Sequence, residues 1–536
     1  MKRKSMALLL CVCLLFSCTA CQSEQDDIYS QALADQSESS LLEPTSSNPF
    51  GDIDYDDPDY IGSPSPEPDA QLTPAPDDDL SGELVIKAYT SHQEEQFSYL
   101  IQEFTLLHPG VIITFDEEFT LTQWANLSDT ERQMSQESYQ AQLRAEISSG
   151  EADYLLYDFE EDLDIQGLSQ TGALYDMTEF WDNDPDIHEE DYFMSVIEAC
   201  KMDGKMTVIP YAFHFPGVTF SQRVMEEVGI DLTGVHTVSV TQLLDWYDQA
   251  RALKPELNLI YTSRDGDTLF PYERQDYIDF ATRTCDFDSP EFVEFLQRTK
   301  AVCAEDPDLQ EDEVGLGYDG LARYWEEYWE TGVLPDEIKE YETITDQFSD
   351  MVTKAREWFC VPTEQDFISS FTQQRPLEYL TQPYALTSTD GNLGIVTPEA
   401  FAMPSSLKNK ELAWEFIKYC LSTREEPTFY KLTGFHWIYA VGVPVNIENY
   451  RKAVEYVSAG NSFGTYVLGY PGSYKGLDPD ATVEELEAML SVNTVYAGAY
   501  NVDVQEYLDE YYVNDLISAE ECAKKIQDRT YMWLNE

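Results

Sequence analysis

Two cysteines near the start of the chain, Cys18 and Cys21, stand three positions apart in the stretch FSCTACQS. Thiols at this spacing can form a disulfide, bind zinc as thiolates, or accept an acyl chain. A zinc site needs a second pair of ligands, and no second CxxC follows. The later cysteines are widely scattered, at Cys200, Cys285, Cys303, Cys360, Cys420 and Cys522. The redox and zinc interpretations of the pair are therefore disfavoured.

The residues around the two cysteines resemble a secretion signal. Lys2, Arg3 and Lys4 precede the apolar run MALLLCVCLLF, which is shorter than the roughly 20 residues of a membrane span. The small residues before Cys21, in CTAC, resemble the lipobox of a bacterial lipoprotein, and LFSC resembles one less well. We predict a signal peptide over 1–20 and acylation of Cys21, with Cys18 as the alternative. A plain signal peptide is the competing interpretation.

The stretch 21–82 has the composition of a linker. From residue 22 onward it contains no Lys or Arg, and it combines acidic clusters with the Pro/Ser run GSPSPEPDAQLTPAPDDD. Low hydropathy and one sign of charge prevent a buried core, so we predict a disordered spacer. The acidic DIDYDDPDY lacks the Gly and Glu spacing of a calcium-binding loop, and we predict no metal site.

Composition restricts the function of the remaining 450 or so residues. The formal charge of −69 makes nucleic acid and anionic lipid unfavourable partners. No HExxH or GxxxxGK[ST] pattern appears, and we predict neither an enzyme nor a cofactor. Disulfides are permitted outside the cell, but their pairing cannot be assigned. Cys420 and Cys522 lie in helical patterns and are predicted to be buried.

The folded part opens with an α/β pattern. The strand ELVIKAYT over 83–90 is followed by a helix with apolar residues at helical spacing and by the strand VIITFDEEF, which predicts a parallel βαβ unit. The segment YQAQLRAEISSGEADYLLYD repeats the pattern, with Gly150 ending the helix and a strand over 153–157. Ligands bind beyond the carboxyl ends of such strands, so the loops at 89–92 and 157–161 are candidate sites.

Five blocks of the chain, in order, resemble one family. They are ELVIKAYT with LIQEFTLLHPGVIITF, then YQAQLRAEISSGEADYLLYD, then GALYDMT with DGKMTVIPY and TFSQRVMEEVGID, then FAMPSSLKNKELAWEFIKYCLS, and finally ISAEECAKKIQDRTYMWLNE. The resemblance covers about 83–536. It is to the extracellular solute-binding proteins of ABC importers, in the sugar-binding family that includes maltose-binding protein.

The resemblance implies an α/β fold of the two-lobed periplasmic-binding-protein type, with a mostly parallel sheet in each lobe. The first crossing between lobes is expected near 205–210, and the return through EAFAMP and the helix after it. The segments implied are 83–205 for lobe 1, 206–364 for lobe 2, 365–424 for the return to lobe 1, and 425–536 for the end of lobe 2. The stretch 304–365 matches the family poorly. Two pairs within it, Tyr324 with Tyr328 and Trp325 with Trp329, each share a helical face and are expected to pack helices.

The resemblance also suggests residues that contact solute. Tyr157 matches the position of a sugar-stacking aromatic, and Glu160 that of an acidic hydrogen-bonding residue; Asp158 lies in the same loop. The other candidates are Ser91 and His92 in the first loop, Tyr211 and His214 after the first crossing, and Trp437 in GFHWIYAVGVPV. The family has a glutamate where His214 stands, so the same sugar is not implied. Packing is the competing role for Tyr157 and Trp437, a structural role is the alternative for His214, and an exposed carboxylate without a ligand is the alternative for Glu160.

The function implied is that of a monomeric solute-binding protein on the outer face of the cell membrane, tethered by its lipid. It is expected to hold a carbohydrate, an oligosaccharide, in the cleft between lobes and to deliver it to the permease subunits of an ABC transporter. Two alternatives use the same fold: a peptide-binding protein, and a solute sensor for a membrane kinase.

Overall fold

A computed structural model describes residues 80–90, 94–119, 127, 129–157, 163–255, 258–260, 269–280, 282–303, 358–365, 383–423, 442–458, 478–500 and 502–535. The predicted signal peptide, almost all of the predicted linker, both Cys18 and Cys21, and the aromatic pairs between 324 and 329 lie outside these ranges. No helix within the described ranges combines the length and the apolar character needed to cross a membrane.

The described chain begins with the predicted α/β pattern. Its elements are β1 (Ser81–Thr90), α1 (Glu94–Leu107), β2 (Gly110–Phe119), α2 (Asp129–Ser149) and β3 (Leu155–Tyr157). β1 lies between β2 and β3 and is parallel to both, which confirms the predicted βαβ unit. α1 covers the sheet because Leu100 and Phe104, one turn apart, are buried. Gly150 ends α2 with φ of 75°, a conformation that favours glycine.

Two long antiparallel strands occupy the middle of the sheet. They are β4 (Ile209–Phe220) and β11 (Asn392–Ala402). The end of β11 pairs with β3, which gives the strand order β2-β1-β3-β11-β4. From Phe215 onward β4 pairs with other strands instead. These are β9 (Trp358–Gln365) and β10 (Tyr384–Thr387), which in turn pair with β6 (Asn258–Ile260) and β5 (Thr237–Ser239).

The remaining elements cover these strands. The helices are α3 (Ile165–Gln170), α4 (Thr178–Asn183), α5 (Met194–Ala199), α6 (Gln222–Val228), α7 (Val240–Leu253), α8 (Phe270–Glu273), α9 (Pro290–Cys303), α10 (Lys410–Leu421), α11 (Ile447–Ser458), α12 (Pro479–Met489), α13 (Gln505–Tyr512) and α14 (Ala519–Asn535). The short strands are β7 (Ile278–Asp279), β8 (Thr284–Cys285), β12 (Val443–Pro444) and β13 (Asn493–Tyr496). Single 3-10 turns span Glu189–Asp191, Arg274–Tyr277 and Ala497–Ala499.

The buried apolar side chains form two separate clusters, which we call the first cluster and the second cluster. The first contains the apolar residues of β1 to β3 and of β4 up to Phe215, and the second begins at Val218. Within the described residues three connections lead from one cluster to the other, and we call them crossings: Phe215 to Val218 in β4, Leu386 to Leu393, and Tyr496 to Tyr500. In addition, Ala385 of β10 packs into the first cluster, while Tyr384 and Leu386 beside it pack into the second. Cys420 in the first cluster and Cys522 in the second are buried, as predicted.

The two clusters divide the chain differently from the predicted segments. The first crossing lies in β4 beyond 205–210, and the chain after 425 does not stay with the second cluster. Tyr450 of α11 and Leu486 of α12 pack into the first cluster, and only residues from Tyr500 onward join the second. An apolar helix face fits either lobe. Here the pairing of β12 with β4 and of β13 with β11 decides which lobe it covers.

Candidate functional site

Tyr157, the candidate stacking residue, ends β3 and is 1% exposed. Its hydroxyl donates a hydrogen bond of 2.9 Å to Glu399 Oε1, and its ring lies 5.2 Å from that of Phe401. Phe401 is its antiparallel partner on β11, so the register of these strands brings the two rings together. The hydrogen bond and the ring contact both hold the Tyr157 side chain in place.

Tyr211 approaches the same phenylalanine from the other side. Its ring centroid lies 6.2 Å from that of Phe401 at an angle of 60°, and the residue is 7% exposed. Tyr157, Phe401 and Tyr211 therefore form a row of rings across β3, β11 and β4, which we call the aromatic row. Tilted rings at these separations attract each other through their quadrupoles, which stabilises the row beyond its apolar burial.

The pairing of β11 with β4 is irregular beside the aromatic row. His214 pairs with Val396 and Ala212 with Glu399, so β11 has one extra residue between these positions. Pro398 stands in this interval, and proline cannot donate a ladder hydrogen bond. Tyr211 is in turn an extra residue of β4, between the pairs of Pro210 with Ala400 and Ala212 with Glu399. Such bulges re-aim side chains and are frequent near binding sites.

Glu399 is the polar residue that sequence reasoning missed. It is fully buried at 0% exposure and accepts the Tyr157 hydroxyl. A buried carboxylate is stable only with hydrogen-bond partners, so its position on β11 is a specific feature of this fold. The available signal was a glutamate after proline in the strand EAFAMP, where a buried strand ordinarily has apolar residues.

His214 also lies on β4 and is 8% exposed. It is crowded by Gly442, just before β12: a Cβ atom built on Gly442 would lie 2.7 Å from His214 Cδ2 and 3.0 Å from the Phe213 carbonyl oxygen. Gly442 has φ of 140°, which other residues rarely adopt. Glycine is therefore required for β12 to lie against this part of β4.

The start of β4 is fixed by two parts of the third sequence block that carries the resemblance. The carboxylate of Asp176, in GALYDMT, accepts hydrogen bonds from the backbone N–H groups of Thr178 and Met206, and the latter lies in DGKMTVIPY. Met177 N–H donates to the Met206 carbonyl at 2.8 Å. Burial alone raises the pKa of Asp176, but the hydrogen bonds from the Thr178 hydroxyl and from the backbone N–H groups of Thr178 and Met206 outweigh it and lower the pKa below its usual value. Asp176 therefore positions the strand that carries Tyr211 and His214.

The other candidate residues lie outside the described ranges. They are Ser91, His92, Asp158, Glu160 and Trp437. Ser91 and His92 follow β1, which ends at Thr90, and Asp158 and Glu160 follow β3, which ends at Tyr157. These two strands are adjacent and parallel. Chain leaving these two strands starts from one edge of the sheet, where α/β proteins bind ligands. Among the described residues, no group of His, Cys, Asp or Glu could hold a metal ion.

The chain is similar to several proteins of known structure. The search of curated proteins found no match. A solved structure of an extracellular solute-binding protein family 1 from Alicyclobacillus acidocaldarius has a TM-score of 0.50 at 14% identity, covering 86% of this chain and 100% of the other. A sugar transporter from Rhizobium etli in an open conformation has a TM-score of 0.49 at 13% identity, covering 84% of this chain and 99% of the other. The sugar-binding protein MalE from Xanthomonas citri has a TM-score of 0.48 at 11% identity, covering 85% and 98%.

The first of these structures shows the fold, which is the predicted two-lobed α/β architecture. The family pattern described as "Bacterial extracellular solute-binding protein" matches residues 129–440, more than half of the chain. That stretch includes β3, β4 and β11, the three strands of the aromatic row. Proteins of this kind bind and carry solutes rather than transform them. The chain belongs to the family of bacterial extracellular solute-binding proteins.

Proposed function

We propose that this protein captures a carbohydrate, an oligosaccharide, between its two lobes and delivers it to the permease of an ABC transporter. The observation that supports this best is the aromatic row, beside the buried carboxylate of Glu399 and at the carboxyl end of β3. A sugar presents hydroxyl groups around apolar C–H faces, so its site needs aromatic planes and polar acceptors together.

Tyr157 and Tyr211 are buried in this structure, so a solute reaches their rings only after the surrounding chain moves. Separation of two lobes about a hinge is a motion of this kind. In our proposal the loops after β1 and β3 supply the polar contacts through Ser91, His92, Asp158 and Glu160. His214 and Trp437 complete the predicted set of solute contacts.

A thermal-shift screen tests the solute class. The probes are maltotetraose, chitotetraose, cellotetraose and a set of tri- to pentapeptides. A ligand at 100 times its dissociation constant adds about 2.7 kcal/mol to the free energy of unfolding. We expect at least one oligosaccharide to raise the unfolding temperature, and Tyr157→Ala to reduce that shift while Tyr531→Ala, at an exposed position, leaves it unchanged. A response to peptides alone contradicts the carbohydrate proposal.

The tether and the transport role need separate experiments. We propose that Cys21 is acylated and holds the protein at the outer face of the cell membrane, because two or three acyl chains anchor a protein stably. Mass spectrometry of the mature N-terminal peptide should show a lipid-modified Cys21, and an unmodified start refutes the anchor. Deletion of the protein should abolish uptake of the solute found in the screen. Unchanged uptake favours the sensor alternative.

A further inference from the structure

The short segment 270–277 is anchored in the second cluster. It comprises α8 and the 3-10 turn Arg274–Tyr277. Phe270 is 4% exposed, and the Tyr277 ring packs edge-on against Phe292 at 4.9 Å. Of the polar residues between these two aromatics, Glu273 is buried and Arg274, Gln275 and Asp276 are half-buried. They contact two connections that join the two clusters.

Asp276 binds the connection between β10 and β11. Its Oδ1 atom accepts hydrogen bonds from the Ser388 hydroxyl and, at 2.7 Å, from Asn392 Nδ2. Its Oδ2 atom accepts from the Asp390 backbone N–H at 2.8 Å. One carboxylate therefore organises the turn that separates Leu386 of the second cluster from Leu393 of the first.

Glu273 contacts the same turn. It is 1% exposed and accepts a hydrogen bond of 2.9 Å from the backbone N–H of Thr389. The two carboxylates thus bind consecutive residues of the turn, Thr389 and Asp390. Burial raises the pKa of Glu273 to about 7, and the nearby carboxylates of Asp276 and Asp390 add to that rise.

Arg274 and Gln275 contact the third crossing, between Tyr496 and Tyr500. The Arg274 guanidinium donates to the Ala497 carbonyl at 3.3 Å and lies 4.7 Å from the centre of the Tyr500 ring. Gln275 packs over Gly394 of β11 so closely that a Cβ on that glycine would lie 2.1 Å from Gln275 Nε2 and 3.1 Å from the Ala497 Cβ.

The two crossings are also joined to each other. Asn493, at the start of β13, donates through Nδ2 to Asn392 Oδ1, and the amide nitrogen of Asn392 donates to Asp276. β13 runs parallel to β11 from this pair onward. A continuous chain of hydrogen bonds therefore runs from the second cluster through Asp276 to the first residue of each strand.

We propose that Glu273, Arg274 and Asp276 form a hinge clamp, which sets the relative orientation of the two lobes by holding two of the crossings found among the described residues. Asp276 is its central positioning residue. The clamp binds the backbone where φ and ψ must change if the lobes rotate, so loss of a clamp contact releases the hinge. This inference deepens the proposed function, because the orientation of the lobes controls solute capture.

The test uses the full chain without solute. Spin labels on p-acetylphenylalanine at Ser148 in the first lobe and Gln249 in the second, both exposed positions, report the distance between lobes. We expect Asp276→Asn to shift or broaden this distance distribution, because the amide presents a donor to partners that are all donors. The amide of Asp390, which donates to Asp276, should exchange with deuterium about ten- to a hundredfold faster, as expected for loss of a hydrogen bond to a charged group.

The matched control is Asp231→Asn. Asp231 accepts a hydrogen bond of 2.9 Å from the Thr233 backbone N–H within its own exposed turn, so the same substitution there leaves the crossings untouched. If Asp276→Asn does not fold, Arg274→Lys takes its place, since it keeps the charge but loses the flat guanidinium over Tyr500. An unchanged distance distribution in the folded clamp variant overturns the proposal. Because no solute is added, this result is independent of the thermal-shift screen.

Discussion

At the scale of the residue, buried carboxylates with specific partners distinguish this chain. Glu399 is fully buried and receives the Tyr157 hydroxyl, and Glu273 is buried against a turn. Burying a charge costs free energy unless hydrogen bonds replace the water it loses. The two residues therefore make their surroundings sensitive to small changes, which leads to two predictions.

Removal of the Tyr157 hydroxyl should destabilise the protein. In Tyr157→Phe, the buried Glu399 loses a hydrogen bond inside the first lobe, and removing a partner from a buried polar group costs about 1–3 kcal/mol. Urea denaturation should show a loss of this size in the free energy of unfolding. Tyr531→Phe is the control, because that ring is 52% exposed. Equal stability of the two variants contradicts the role assigned to the hydrogen bond.

Glu273 should make stability depend on pH. Its folded-state pKa of about 7 lies above its ordinary 4.5, so between these values the folded protein binds a proton that the unfolded chain releases. The free energy of unfolding therefore falls as pH rises through this window, by about 3 kcal/mol from this group.

The measurement is urea denaturation at several pH values between 4.5 and 7 for the parent and for Glu273→Gln. In the variant, the free energy of unfolding should fall less with rising pH, because residue 273 no longer titrates. Carboxyl groups with lowered pKa, such as those of Asp153 and Asp184, act in the opposite direction and at lower pH, so their effect falls outside this window. An identical pH slope in the two proteins rules out the assignment.

At the scale of the element, close contacts between strands depend on glycine and on irregular pairing. β12 reaches β4 only because Gly442 has no side chain next to His214 and Phe213. The bulges on both sides of Glu399 place Tyr211 beside Phe401 rather than in a regular ladder. These features show how a nearly continuous apolar strand, IPYAFHFPGVTF, comes to hold a specific arrangement of side chains.

Gly442→Ala should therefore lower the free energy of unfolding more than an alanine at a glycine with free space around it. The new Cβ meets both the His214 ring and a backbone oxygen, and the φ of 140° is strained for any side chain. Such strain alone costs about 1–3 kcal/mol, and the collisions add to it. In the control, Gly204→Ala, φ is 75° but no atom lies within 4 Å of the new Cβ. Denaturation midpoints that rank Gly204→Ala as the worse variant contradict this account.

At the scale of the whole molecule, the charge is the dominant property. The chain has 101 Asp and Glu against 32 Lys and Arg. Many of the bases are already bound to several acids, as in the contacts of Lys418 with Asp184, Asp186 and Glu415. The excess carboxylates repel one another across the folded surface, which destabilises the compact state.

Salt should consequently stabilise the protein. Raising NaCl from about 10 mM to about 300 mM shortens the Debye length from roughly 30 Å to below 8 Å and screens this repulsion. We expect the urea midpoint of unfolding to rise over that range at pH 7.5. A constant or falling midpoint shows that screening of favourable ion pairs outweighs screening of the repulsion.

The sequence by itself determined the opening βαβ unit, the two-lobed α/β class and the family. Local patterns suffice for these, because helix periodicity, the terminating Gly150 and short apolar strands are encoded within a few residues of each other. The two-lobed class and the family were predicted from the resemblance, which rests on five blocks in the same order. It also indicated Tyr157 and Tyr211, which the structure brings to opposite sides of one ring.

Only the tertiary structure decided which distant residues meet. Tyr157 contacts Glu399 across 242 positions of sequence, and Asp276 contacts Asn392 across 116. It also decided that α11 and α12 pack into the first cluster, although both precede chain that packs into the second. An apolar face or a carboxylate shows that a partner is needed but not which one. The choice depends on strand register and on how the chain crosses between clusters, neither of which is a local property of the sequence.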